Sequence, residues 1–232
     1  MCGRYVLLAP PRRLAEVFGV TVPDDMGPRW NIAPTQRVGL VRQTGATRLW
    51  DEAGWGLVPG WARSFRPGPV NARIESVAEK PTFREALRRR RCLVPASAWY
   101  EWTGGGKTKQ AWAMEPISGE PVAFAGLWED WGTGDAMQRT VAFLTTEATG
   151  RLAEVHHRMP VLLGRATWER WLDPGLTDAS AALACVADLP DGSVVPRRVG
   201  RAVHRAGLEG PECLASPEAA EDAPTGGQLG LF

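Results

Sequence analysis

Twenty-six glycines and nineteen prolines cut these 232 residues into short pieces, and that punctuation limits the fold more than any other feature. Both residues weaken or end helices, and proline cannot donate within a sheet. Between the breaks lie short apolar, β-branched and aromatic runs. Those at 37–42, 48–57, 92–102, 110–114, 121–128, 139–145 and 160–163 are read as strands. Helical spacing is confined to 12–18, where Leu14, Val17 and Phe18 share one face, to 82–91 after Pro81, to 166–172 and to 178–186. Strands predominate and do not alternate with helices. The expected class is therefore α+β: one β-rich domain of mostly antiparallel strands with peripheral helices, not a doubly wound sheet.

The length suffices for a full core in one domain, and 44% hydrophobic with 23% charged residues is ordinary for a globular chain. No apolar run approaches the ~18–20 residues of a membrane span. Residues 6–9 are too short for a signal core, so a cytoplasmic protein is expected. Cys2, Cys92, Cys185 and Cys213 are widely spaced without a CxxC pair, which argues against zinc, and the reducing cytosol expected for this chain argues against a disulfide. No metal or cofactor is expected. Cys92 and Cys185 read as inert core residues.

Five acids and no Lys or Arg lie from Glu209 onward, leaving 27 basic against 21 acidic side chains in the body, a net of +6. Such a body fits nucleic-acid binding. Residues 216–227 hold no large apolar side chain, so a domain over 1–215 and a disordered acidic tail over 216–232 are expected. The tail ends in the apolar Gln228-Leu229-Gly230-Leu231-Phe232.

Loss of Met1 would expose Cys2 as a 1,2-aminothiol. Its amine can form a Schiff base with an aldehyde, and its sulfur can then close a thiazolidine on the same carbon. An α-amino group titrates near ~7.7–8, so a useful fraction is neutral and nucleophilic at neutral pH. The thiolate is the reactive form of the sulfur.

Six segments stand in order: 1–5 (MCGRY), 30–35 (WNIAPT), 55–61 (WGLVPGW), 70–75 (VNARIE), 92–102 (CLVPASAWYEW) and 156–160 (HHRMP). In this order they closely resemble the SOS-response-associated peptidase (SRAP) family, whose members shield abasic sites in single-stranded DNA by a covalent cross-link. The resemblance covers roughly residues 2–210 and implies a barrel-like sheet core. It implies Cys2 as the cross-linking residue, with Asn71, Glu101 and His156 beside it. An amide at Asn71 holds a sugar hydroxyl without adding charge. Glu101, buried among aromatic residues, should titrate high and carry protons. His156 titrates near neutrality and can shuttle them. His157 falls on an unspecified position and reads as a surface residue.

Arg4, Arg73 and Arg158 lie near these residues and are read as phosphate clamps. Trp61 and Pro34 are read as stacking or wedge surfaces for flanking bases. The run Arg88–Arg91 is read as a solvated face or a DNA contact. Segment 199–204 matches the family pattern only loosely. The tail resembles the Gln-Leu-x-Leu-Phe peptide by which bacterial proteins dock on the replication sliding clamp. Leu229, Leu231 and Phe232 would enter an apolar pocket while Gln228 anchors by hydrogen bonds, raising the local concentration at forks. The expected partners are abasic single-stranded DNA and that clamp, for a monomeric bacterial protein. A thiol peptidase with Cys2 as nucleophile and a non-enzymatic single-strand binder are the alternatives.

Overall fold

The computed structural model describes residues 3–106, 109–186 and 192–217. Cys2 and the clamp-like peptide at 228–232 lie outside the described residues. In chain order the elements are β1 (Tyr5–Leu7), α1 (Pro11–Phe18), β2 (Arg29–Ile32), β3 (Arg37–Thr44), β4 (Thr47–Trp55), β5 (Asn71–Arg73), α2 (Arg84–Arg89), β6 (Arg91–Ala96), β7 (Ala98–Thr103), β8 (Gln110–Pro116), β9 (Val122–Trp131), β10 (Gln138–Glu147), α3 (Gly150–Ala153), β11 (Arg158–Pro160), α4 (Trp168–Leu172), α5 (Ala179–Leu183) and β12 (Val194–Val199). The fold is α+β, rich in mostly antiparallel strands, as expected.

Five strands close into a ring. β4 pairs β3, β3 pairs β6, β6 pairs β9 and β9 pairs β10, all antiparallel, and β10 returns to β4 in parallel. Closure removes open edges along this path. Beyond the ring, the C-terminal half of β10 carries β5 in parallel through Phe143↔Asn71 and β11 antiparallel through Glu147↔Arg158. A second sheet runs β12-β8-β7-β1-β2, with every neighbour antiparallel.

Aromatic packing joins the two sheets. Tyr5 of β1 points its ring edge-on at Trp55, Phe124 and Phe143, at centroid distances of 5.7, 5.9 and 5.7 Å. Trp55 stacks on Phe143 at 4.5 Å, and all four rings are fully buried. The opposite face of the second sheet buries Val6, Tyr100, Ala111 and Val199 against Val203 and Cys213. α1 presents Leu14, Val17 and Phe18 inward, and Phe18 stacks on Trp168 at 4.8 Å. Gly19 ends that helix at φ 67°, a left-handed cap that glycine adopts without a Cβ penalty.

Several expected elements differ in extent. The run 92–102 is two strands, because Ser97 ends pairing with one sheet and starts pairing with the other. Its N–H donates to the Val6 carbonyl, and its hydroxyl accepts from the Leu8 and Ala9 N–H groups. β11 ends at Pro160, with Leu162 keeping one isolated bridge to Phe124. α2 stops at Arg89, and Arg91 is a buried residue of β6. Its guanidinium donates to the carbonyls of Leu87, Arg88, Trp171 and Asp173, so this end of the Arg88–Arg91 run is neither solvated nor open to DNA. β1, β2, β5 and α3 carried too few residues to be read from the sequence, and Pro196 interrupts the run that forms β12.

Candidate functional site

Glu101 lies on β7, opposite Trp112 of β8. Side chains alternate along a strand, so Trp99 and Glu101 share the inner face while Tyr100 and Trp102 share the outer one. Glu101 is 2% exposed, and burial pushes its carboxyl up to about 7. β1 runs antiparallel beside β7, with Tyr5 opposite Trp99 and the Arg4 carbonyl accepting from the Tyr100 N–H. Continuing that register sets Gly3 across from Glu101.

His156 reaches the same place from the connection between α3 and β11. Its main chain closes the turn of α3 by donating to the Leu152 carbonyl at 3.1 Å. Its Nδ1 lies 3.9 Å from Glu101 Oε2. The same nitrogen accepts from the Arg158 N–H at 3.0 Å and lies 3.1 Å from the Arg158 carbonyl. A neutral ring protonated at Nε2 uses the N–H, and a ring protonated at Nδ1 uses the carbonyl. Burial lowers the imidazole below its ordinary value. Exposed His157 stacks on His156 at 4.4 Å.

Asn71 opens β5 and pairs with Phe143, so it is delivered by the strand flanking β10 on the side away from β11. Arg73, two residues on, is exposed. Arg158 is not: its guanidinium donates to both carboxylate oxygens of Glu75 at 2.6 and 3.0 Å and to the Thr145 carbonyl at 2.6 Å. A phosphate contact by Arg158 would require that pair to open. Glu75 was visible within the 70–75 segment but carried no signal of this role, since its partner lies on a distant strand. The Arg4 guanidinium donates to Asn31 Oδ1 at 2.8 Å and to the Val203 carbonyl at 3.0 Å, on the outer side of the second sheet.

Trp61 is 68% exposed on the connection after β4. That connection is pinned on both sides of the indole. The Gly60 N–H donates to Glu129, which is also bound by Arg90 at 2.6 Å, and Trp131 Nε1 donates to the Ala62 carbonyl at 2.8 Å. Pro34 is half-buried in a turn in which the Gln36 N–H donates to the Ala33 carbonyl. Thr35, the third residue of that turn, has φ 73°, a left-handed conformation that is strained for a β-branched residue.

Cys92 and Cys185 are buried, as is Cys213, and burial pushes the Cys92 thiol far up. No helix of the described residues is long and apolar enough to cross a membrane.

The fold and site thus define a two-sheet protein with a buried carboxyl and a half-buried imidazole beside its N-terminal strand. A family model described as SOS response associated peptidase (SRAP) matches residues 1–206, and the chain belongs to that family. It is similar to the abasic site processing protein YoqW of Bacillus subtilis (strain 168), at 35% identity over 185 residues, which cover 77% of this chain and 83% of the relative. It is also similar to the abasic site processing protein YedK of Escherichia coli (strain K12), at 27% over 222 residues, covering 92% and 99%. A solved protein of Bacteroides thetaiotaomicron shares the fold, with a TM-score of 0.81 at 21% identity over 93% of this chain and 99% of that one.

Proposed function

We propose that this protein binds single-stranded DNA and captures abasic sites covalently through Cys2. The observation that carries this reading is the Glu101–His156 pair, buried Glu101 against half-buried His156, beside the strand that leads to the N-terminus. The Cys2 amine adds to the C1′ aldehyde of the ring-opened sugar. Protonated Glu101 gives its proton to the resulting hydroxyl, and water leaves to form the imine. The Cys2 thiol then adds to the imine carbon, its S–H proton passes to nitrogen, and the thiazolidine closes without any redox change. A carboxyl titrating near 7 is suited to both giving and taking a proton at neutral pH. His156 exchanges protons through Nδ1, and Asn71 holds the sugar. Arg73 meets a phosphate, joined by Arg4 and Arg158 where strand binding reorders their present partners, and Trp61 and Pro34 support flanking bases.

If closure stalls, the imine permits β-elimination, so a weak lyase activity accompanies capture. The family's description as SOS response associated peptidase supports a second reading, in which Cys2 acts as a thiol nucleophile and removes Met1. A denaturing gel of protein with single-stranded DNA carrying one abasic site, beside Cys2→Ala, tests the first reading. A slow, heat-stable band with wild type alone is expected. Its absence from protein whose mass shows Met1 removed overturns covalent capture.

The tail reading is separate. Gln228, Leu229, Leu231 and Phe232 dock on a bacterial sliding clamp. Pulldown with purified clamp is expected to capture the full chain and not one ending at Gly227. Equal capture removes this proposal.

A further inference from the structure

On the outer face of the second sheet, across β7 from Glu101, lies a cleft of about 340 Å³ lined by Gly3, Arg4, Trp102, Lys109 and His204. Its walls hold two permanent cations, an imidazole and an indole, and no acid among the described residues. Lys109 is exposed, and its Nζ sits 5.0 Å from the Trp102 ring centroid. The His204 ring lies 6.3 Å from the same indole, on the 3-10 turn Arg201–His204 that follows β12. His204 Nε2 and Trp102 Nε1 are buried and have no hydrogen-bond partner among the described residues. Buried polar groups left without partners are costly, and native structures seldom keep them without a reason. Burial lowers the His204 imidazole, and Lys109, Arg201 and Arg4 lower it further, which reports a positive field at the ring. A neutral imidazole protonated at Nε2 and an indole are both N–H donors. Two such donors in the walls of a positive cleft match the oxygens of an anion.

We propose that this cleft is a phosphate-binding subsite that takes a backbone phosphate of the DNA strand flanking the captured nucleotide. The proposal rests on the DNA-capture reading. Gly3 borders the cleft and, by register, stands opposite Glu101 across the β1–β7 pairing, so a strand held at the N-terminus has a short route past the start of β1 into it. Lys109 and Arg4 supply charge, and His204 and Trp102 supply directional donors.

The test uses full-length protein and a thymidine oligonucleotide with a central tetrahydrofuran, which lacks the aldehyde and cannot be cross-linked. Binding is titrated over a range of salt concentrations for wild type, Lys109→Gln and His204→Gln, with inorganic phosphate as a second probe. Lys109 is exposed, so its variant folds. Each variant is expected to bind the oligonucleotide several-fold more weakly, and Lys109→Gln to lower the salt slope by about 1. The His204 ring protons should titrate at higher pH in the wild-type complex than in the free protein, a shift that a merely structural histidine would not show. If phosphate alone produces that shift and the oligonucleotide does not, the site takes free phosphate and the strand assignment is overturned. Unchanged affinity, slope and His204 titration with both probes overturn the subsite altogether. Cross-linking of true abasic DNA by wild type, run in parallel, reports on the underlying reading independently.

Discussion

His156 Nδ1 stands 3.9 Å from Glu101 Oε2, with burial raising the carboxyl and lowering the imidazole. Both groups are thereby pushed toward their neutral forms, so near pH 7 the pair offers a proton donor and a proton acceptor side by side. Environments that shift titratable groups in this way mark acid–base assignments. The distance is too long for a direct hydrogen bond, and a reacting group lying alongside both atoms can exchange with either.

Replacing Glu101 with Gln should slow capture about 10²- to 10⁴-fold at neutral pH, the usual weight of a general acid–base group. Rates of cross-link formation by quenched gel assay measure this. A variant as fast as wild type would remove Glu101 from the proton path.

The same variant should be more stable than wild type in alkali. Folded Glu101 titrates near 7 against an ordinary 4.5, so between those values the folded state keeps a proton that the unfolded chain has released. Stability therefore falls as pH rises from about 4.5 to 7 and stays flat above, at a cost of roughly 3 kcal/mol. Glu101→Gln should lose that slope. Urea unfolding at pH 5 and pH 8 checks it, and parallel pH profiles for the two proteins would contradict it.

Glu75 and Arg158 make the opposite case. The Arg158 guanidinium holds the Glu75 carboxyl below its ordinary range, so the pair stabilises above pH 4.5 and is lost as pH falls through the lowered value. Glu75→Gln strands a buried guanidinium. Half-exposure of Glu75 discounts the cost of a fully buried pair to about 1–3 kcal/mol. A melting temperature several degrees lower is expected at pH 7, with the difference shrinking in acid.

Trp61→Ala should leave the melting temperature unchanged, because the indole is mostly exposed. It should weaken binding of undamaged single strands by ~1–3 kcal/mol irrespective of sequence, the worth of one stacked base. Fluorescence anisotropy with thymidine and mixed oligonucleotides measures it. Affinity equal to wild type would leave Trp61 outside the DNA path.

At Thr35 the strained φ of 73° predicts a gain from glycine. Thr35→Gly should stabilise the fold by up to ~1 kcal/mol, offset in part by chain entropy. Thermal melts decide the sign, and a lower melting temperature would mean that the threonine side chain contributes more than its backbone costs.

Much of this protein was legible in the residues. Gly and Pro punctuation with short β-type runs determined a β-rich α+β fold, because local propensity and period depend on neighbouring residues. β3, β4, β8, β9 and β10 fall where their runs predicted them, each long enough to show a pattern. The proposal for Cys2 likewise rests on composition and position alone. Three-residue strands such as β1 and β5 carry no period, and they deliver the chain toward Glu101 and Asn71. Only the tertiary structure decided that β10 pairs with both β9 and β4, closing the ring. It also turned the 92–102 run at Ser97 into strands of two sheets, which set Glu101 inward and Trp102 outward. It committed Arg158 to Glu75 and gathered Lys109 and His204 around Trp102. These pairings join residues far apart in sequence, and their energy comes from burial and contact that exist only once the chain has closed.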